Sequence, residues 1–534
     1  MISENFSFLY PSYEAKQNQI SGANSEKFSE YMLEELGLAE FIDLKNGCLS
    51  DFITEDTETI KYRNSVFLDM LSNPELSEMF VSLLPILTDI IELRQMDAEN
   101  DDTAGYLSSI IEIELYISCI DLLAKKLEPI SEKLTSEAFK KLASHINELS
   151  RSEYYSQLNQ KLNELTERVR EIKSVTIGVN LDAQLRPKDA GVLSINSEAF
   201  RSGDALDKIL RLNFKDDEYT CIANLVPFNK KNNENQKTAL SLAFVSAIND
   251  VYRSSLRSWK KIVQTYVLDN TDFLLSLIPE IEFLIKATSM MREIKKKGLD
   301  LTVPQILPQN ERRFIAKGIY NPCVALKING EIVENDISFD ESAMIYILTG
   351  PNRGGKSVIT CAIGISQIMA QLGMLFPAKE AEISVCDAIF THFPSGADDT
   401  IDKGRLGEEC ERLGYIFENV SANSLVLLDE SLSSTGSFEA SYIASEVISG
   451  LSLVGCRCLF STHLHELASG IDEINERAKA SGGVAVDTLV AGIEEGQRSF
   501  KIVRAKPNGK SYAQDIAQKY GLSYDSIKKK TNKN

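Results

Sequence analysis

The chain has 534 residues, 43% of them hydrophobic and 25% charged, enough for several domains and an ample core. A net charge of −20 excludes a protein that coats nucleic acid over its whole surface, while leaving room for a local basic face. No stretch is long and apolar enough to span a membrane. The first residues lack the basic start and apolar core of a secretion signal, and the nine cysteines follow no zinc-ligand spacing, so a cytoplasmic protein with reduced thiols is expected.

Residues 1–75 read as a small mixed N-terminal region with a helical stretch over 26–38. Residues 76–175 predict helices. Phe80, Leu83, Leu84, Leu87, Ile90 and Ile91 recur at three-to-four spacing, and 110–127 continues in that style. Leu158, Leu162, Leu165, Val169 and Ile172 then form a heptad-like seam, which suits a long lever-like helix and equally suits ordinary core packing. Residues 175–236 change character. Strand-like runs at 175–181 and 219–223 lie among Arg186, Lys188, Arg201, Lys208 and Arg211, and the polar loop 229–233 comes next. A β-containing insertion between long helices is expected, its basic residues touching phosphates or simply solvated. Residues 237–300 return to helix. There Arg253, Arg257, Lys260 and Lys261 accompany Trp259, the only tryptophan. Such a face can meet nucleic acid or be solvated around a core tryptophan. Lys295, Lys296 and Lys297 close the helix with the charge its dipole favours, and 301–308, with two prolines, reads as a linker.

The next stretch carries the chemistry. The β-branched apolar run 345–349 ends in Gly350-Pro351-Asn352-Arg353-Gly354-Gly355-Lys356-Ser357, and a helical pattern continues over 358–372. Strand, glycine loop and helix in that order is the setting of a Walker A motif. Curled backbone N–H groups at a helix N-terminus hold an anion. Lys356 supplies a charge for phosphates, and the Ser357 hydroxyl suits Mg²⁺. The bland alternative is a glycine turn that binds nothing, and the full motif in its context argues against it. Downstream, the apolar run 424–428 ends in Asp429-Glu430. Asp429 is expected to hold Mg²⁺ and Glu430 to orient or deprotonate the attacking water. A third strand over 458–462 ends at His463, where an imidazole can report a γ-phosphate. Residues 309–505 are therefore expected to form an α/β domain. Residues 506–534 form a basic tail with two short helices suited to a dimer contact.

Taken together these motifs resemble the MutS family of ABC-type ATPases. The Gly350–Ser357 run is similar to that family's G-P-N-x-x-G-K-S, and Phe376-Pro377-Ala378, Ala381-Glu382-Ile383 and Ile389-Phe390-Thr391 to its V-P-A, E-I and I-F-T segments. Gly396-Ala397-Asp398-Asp399, the Leu427–Glu430 run, Thr462-His463-Leu464-His465-Glu466-Leu467 and Gly509-Lys510-Ser511-Tyr512 complete the likeness. It spans about 315–525 closely, and 76–310 only in helix layout. It implies a multidomain fold: a long α-helical lever (76–308) with a clamp insertion near 175–236, then an α/β P-loop (ABC-type) ATPase domain (309–505). The 506–534 tail would be for dimerisation. It further implies ATP and Mg²⁺ as cofactors, a homodimer with two composite ATP sites, DNA as partner, and work in repair or recombination with a further repair protein. Ile332 and Val333 would line the adenine pocket, the first where the family commonly has an aromatic.

Departures limit the likeness. The family's N-terminal mismatch-reading domain is expected to be missing, with most of a connector domain, which puts direct mismatch recognition in doubt. Phe28-Ser29-Glu30 matches its Phe-x-Glu reader only by coincidence. Gly404-Arg405-Leu406-Gly407 replaces Gly-Arg-Ser-Thr, so the implied contact across a dimer is expected to differ or be weaker. Thr435 and Ser437 of a second run persist around Gly436. The rival expectation is a nucleotide-gated protein-interaction module of the same fold that does not bind DNA. A generic ABC or SMC-type ATPase fits less well, given the Pro-Asn pair and the lack of a Ser-Gly-Gly-Gln-like signature.

Overall fold

The structure is a computed structural model that describes residues 6–22, 27–98, 107–170, 173–184, 187–199, 201–202, 220–221, 268–351, 353–394, 404–494, 497–506 and 520–531. It comprises two compact units. One takes residues 1–4, 74–134 and 139–278, and the other takes 5–73, 135–138 and 279–534.

The first unit is built on helices Pro74–Ala98, Leu107–Leu127 and Glu153–Arg170, with most of Glu137–Ser150. The three-to-four spacing does what its period dictates. Phe80, Leu83, Leu87 and Ile90 are buried on one face of the first helix, and Ile113, Ile117, Ile120 and Leu123 on the second. The Tyr155 hydroxyl donates to Asp121 Oδ1 at 2.7 Å, so a ring packed in the core keeps a polar partner. The heptad-like seam lies on an 18-residue helix whose Leu158 and Leu162 are buried; Ile172 lies outside the described residues. Strands β1 (Ser174–Leu181) and β2 (Pro187–Asn196) form an antiparallel hairpin, and β3 (Arg201–Ser202) pairs in parallel with β4 (Thr220–Cys221). Arg186, Lys208, Arg211, the 229–233 loop and the cluster around Trp259 lie outside the described residues.

In the second unit, the N-terminal segment is stitched to helix Ile278–Lys296. Glu280 accepts hydrogen bonds from Ser7 Oγ at 2.7 Å and Phe8 N at 2.8 Å, and pairs with Lys16. Phe52 stacks on Phe283 at 5.0 Å. Arg63 is fully buried, its Nε donating to Leu9 O at 2.9 Å. Phe28 is a core residue and Ser29 caps helix Glu30–Leu36, so the Phe-x-Glu letters are structural.

The same unit holds a four-stranded sheet of β5 (Gln305–Leu307), β6 (Phe314–Ile319), β7 (Asn335–Phe339) and β9 (Glu380–Ser384), in the order β5-β9-β6-β7. The 301–308 stretch is thus not a plain linker: its middle is the edge strand β5, bonded only to β9. Pro304 and Pro308 bracket it, as prolines are tolerated at the ends of an edge strand. The larger sheet holds β8 (Ile345–Thr349), β10 (Ile389–His392), β11 (Leu425–Asp429), β12 (Arg457–Ser461), β13 (Val486–Glu494) and β14 (Gln497–Arg504). Its order is β10-β11-β12-β8-β13-β14, parallel throughout except for β14. Every residue of β8, β11 and β12 is buried, as strands covered on both faces must be. Helix Lys356–Gln371 packs on this sheet, and Gln371 Nε2 donates to Thr54 O at 3.1 Å.

Candidate functional site

Register brings the site together. Asp429 on β11 lies opposite Ser461 on β12, and Ser461 opposite Leu348 on β8. The carboxyl ends of these neighbouring parallel strands therefore share one sheet edge, where ligands bind in open α/β sheets. Gly350 to Gly355 leave β8 there, Glu430 leaves β11, and His463 comes two residues after β12.

The glycine loop is shaped by backbone conformations most side chains avoid. Gly350 has φ 143°, Arg353 φ 60° and Gly355 φ 92°. At Gly354 a Cβ would lie 2.8 Å from Pro351 O, and at Gly350 2.7 Å from Ala491 Cβ, so both positions need glycine. Gly355 caps helix Lys356–Gln371, whose N-terminal dipole points into the loop. Asn352, expected among the phosphate ligands, lies outside the described residues.

Lys356 is buried, its Nζ 3.2 Å from Gly350 O, 3.3 Å from Pro351 O and 3.5 Å from His463 Nδ1. His463 Nε2 is 2.6 Å from Glu430 Oε1. An ammonium only donates and a carboxylate only accepts. Lys356 therefore donates to Nδ1, and Nε2–H donates to Glu430. The three side chains form one chain of hydrogen bonds along the sheet edge. Burial lowers the Lys356 pKa, and the Glu430 and Asp429 carboxylates pull it back. Burial raises the Asp429 carboxyl, and a hydrogen bond from the Ser357 hydroxyl opposes that. Among the described residues Asp429 Oδ1 is buried without a hydrogen-bond partner. Thr360 Oγ1, 2.6 Å from Ser461 Oγ, ties the helix to β12 behind these groups.

A cavity of about 380 Å³ opens beside the loop. Arg353, Gly354, Gly355, Lys356, Ser357 and Glu430 line it, together with Ile332, Val333, Tyr320, Asn321 and Phe500. Ile332 and Val333 thus share a cavity with the loop. Phe500, Tyr320 and Asn321 were not foreseen. Phe500 comes from the edge strand β14, with φ 56°. Asn335 holds that hairpin, its Oδ1 accepting from Ile502 N at 2.7 Å and its Nδ2 donating to Phe500 O at 3.3 Å. Asn321-Pro322 is a legible helix start, with Asn321 accepting from Val324 N at 3.0 Å. Nothing local to Phe500 marks it. Of the motifs left, Gly396–Asp399 and 509–512 lie outside the described residues. Gly404 caps helix Arg405–Asn419, and Thr435 Oγ1 donates to Glu439 at 2.6 Å.

The fold is a multidomain mixture of helix and sheet, with glycine loop, acids and histidine gathered on one sheet edge. Comparison with known proteins adds the family. Residues 346–533 match the model of MutS domain V, and residues 55–297 match that of the MutS2 N-terminal domain. The chain belongs to the MutS family. It is similar to the DNA mismatch repair protein MutS of Prochlorococcus marinus (strain MIT 9301), 32% identical over 237 residues, 44% of this chain and 25% of that protein. The protein of the same name from Clostridium kluyveri (strain NBRC 12016) is 30% identical over 228 residues, 41% of this chain and 25% of that protein. That of Clostridium tetani (strain Massachusetts / E88) is 32% identical over 232 residues, 42% and 25%. The match thus spans about a quarter of the length of these relatives. Among the described residues no helix is long and apolar enough to cross a membrane.

Proposed function

We propose that the protein binds and hydrolyses ATP in the sheet-edge cavity and uses that cycle to switch a dimeric hold on DNA. The observation that carries the proposal is the Lys356–His463–Glu430 chain beside a loop with no room for side chains at Gly350 and Gly354. Gly350, Pro351, Arg353, Gly354, Gly355 and Lys356 take the phosphates, with Asn352 added on its motif alone. Lys356 gives up its bonds to the loop carbonyls and turns its charge to the β- and γ-phosphates. Ile332, Val333 and Phe500 take the base.

Ser357 and Asp429 fit Mg²⁺. They are adjacent hard oxygen donors, and no hydrogen of the described residues satisfies the buried Asp429 Oδ1. When bound there the ion neutralises phosphate charge. Glu430 orients the attacking water and accepts its proton. His463, between Lys356 and Glu430, couples the phosphate end to the water end and so senses the γ-phosphate.

DNA enters the proposal through the relatives, which are named DNA mismatch repair proteins. The helical region 76–308 with its β-containing insertion would act as lever and clamp on a 309–505 ATPase domain. The 506–534 tail would join two copies, and a further repair protein is a candidate partner. The test is the ATPase rate at low salt with duplex, branched and mismatched DNA. Stimulation by at least one form is expected. A rate indifferent to all of them would remove DNA from the proposal.

A further inference from the structure

We infer that His392 is a positioning residue for Glu430, acting through Ser431; the inference rests on the proposed catalytic role of Glu430. The turn after β11 is strained. Glu430 has φ 48° and Leu432 φ 64°. Side chains disfavour the left-handed region, so such a turn persists only where its surroundings hold it. Three contacts hold this one. Glu430 N donates to Ser461 O at 2.8 Å. Leu432 is sunk in the core. Ser431, between them, has its Oγ 2.7 Å from His392 Nδ1.

His392 ends β10, is 1% exposed, and lies opposite Leu428 in the β10–β11 register. Its Nε2 is 3.2 Å from Glu409 O on helix Arg405–Asn419. A carbonyl only accepts, so Nε2 carries the hydrogen. In the neutral ring Nδ1 is then the acceptor, and Ser431 Oγ donates to it. His392 O lies 3.1 Å from the same hydroxyl and at most shares its single hydrogen with the closer Nδ1. The imidazole is therefore a rigid spacer between that helix and the turn that aims Glu430. Ser434 Oγ donates to the Glu409 carboxylate at 3.1 Å and makes a second tie between helix and turn. Neither His392 nor Ser431 lines the cavity, so neither would touch a nucleotide bound in it.

The test compares Ser431→Ala, His392→Asn and His392→Leu with the wild type. It reads kcat, the Kd of a non-hydrolysable ATP analogue, and thermal midpoint. Ser431→Ala removes the bond with little change of volume, which guards against a His392 variant that fails to fold. His392→Asn keeps an acceptor near Nδ1, and His392→Leu keeps none. Ser431→Ala and His392→Leu should lower kcat by about 10- to 100-fold, the scale of a misplaced catalytic group. The analogue Kd should stay within about twofold, because the phosphate loop is untouched. His392→Asn should recover part of the loss. The Ser431→Ala/His392→Leu double variant should be no worse than the poorer single, since both break one link. An unchanged kcat in Ser431→Ala, a fall in midpoint alone, or additive losses would overturn the inference. A wild type that binds the analogue but never hydrolyses ATP would overturn the role of Glu430 instead.

Discussion

Gly350 and Gly354 at the sheet edge have a geometric reason to be glycine. Gly354 is the sharpest case, because a methyl group there would press on the backbone oxygen of Pro351 at 2.8 Å. Gly354→Ala is expected to raise the Kd for ATP by about tenfold or more while the fold persists, since distorting the loop disperses its N–H donors. Equilibrium binding of a fluorescent ATP analogue checks this. Phe500→Ala should weaken the same binding, by roughly 1–3 kcal/mol if the ring stacks on the base. His392 makes a pH prediction. Burial, with Arg412 nearby, pushes its pKa down to about 4 from 6.5. Between these values the unfolded chain binds a proton that the folded chain refuses, so stability is full above 6.5 and falls as pH drops towards 4. This group alone removes about 1.4 kcal/mol by about pH 5.5. Urea midpoints at about pH 7.5 and 5.5 should therefore differ less in His392→Gln than in the wild type. The glycines, Lys356, Asp429 and Glu430 were legible because each sits in a contiguous motif. Phe500 was not, because its place depends on the β13–β14 hairpin and on Asn335, 165 residues away in sequence.

At the scale of elements, strand order does the assembling. The apolar runs that become β8, β11 and β12 were readable one by one from their composition. That β12 lies between β11 and β8, aligning three strand ends, is a property of the pairing and not of any single run. Short elements were harder. β5 has three residues between prolines, and its sequence looks like a linker until β9 supplies the hydrogen bonds. The early residues gave no sign that Arg63 and Asn64, on helix Thr57–Ser72, would reach the end of helix Lys356–Gln371. Asn64 Nδ2 donates to Gly373 O at 2.7 Å. Gly373 itself has φ 76°, and a Cβ there would lie 2.3 Å from Arg63 Cβ. Gly373→Ala should destabilise the protein by about 2–4 kcal/mol, adding backbone strain to a clash with a buried arginine. A drop in urea midpoint checks this, and an unchanged midpoint would mean that helix Thr57–Ser72 gives way freely.

At the scale of the molecule, the net charge of −20 confines any DNA contact to local basic surface. Binding should then weaken steeply with salt, in proportion to the phosphates neutralised. The grouping of residues 5–73 with the α/β part, and the separate unit of 74–134 and 139–278, depend on packing between segments far apart in the chain, which a linear reading does not show. What the motifs did convey is a resemblance to the family, now matched at both 55–297 and 346–533. All of this turns on whether the sheet edge hydrolyses ATP through Glu430, and a single-turnover assay of Glu430→Gln beside the wild type decides it. The wild type should bind and hydrolyse ATP, and Glu430→Gln should bind it with similar affinity and hydrolyse it at least about 100-fold more slowly. Wild-type turnover in Glu430→Gln would contradict the assignment of the water-directing carboxylate.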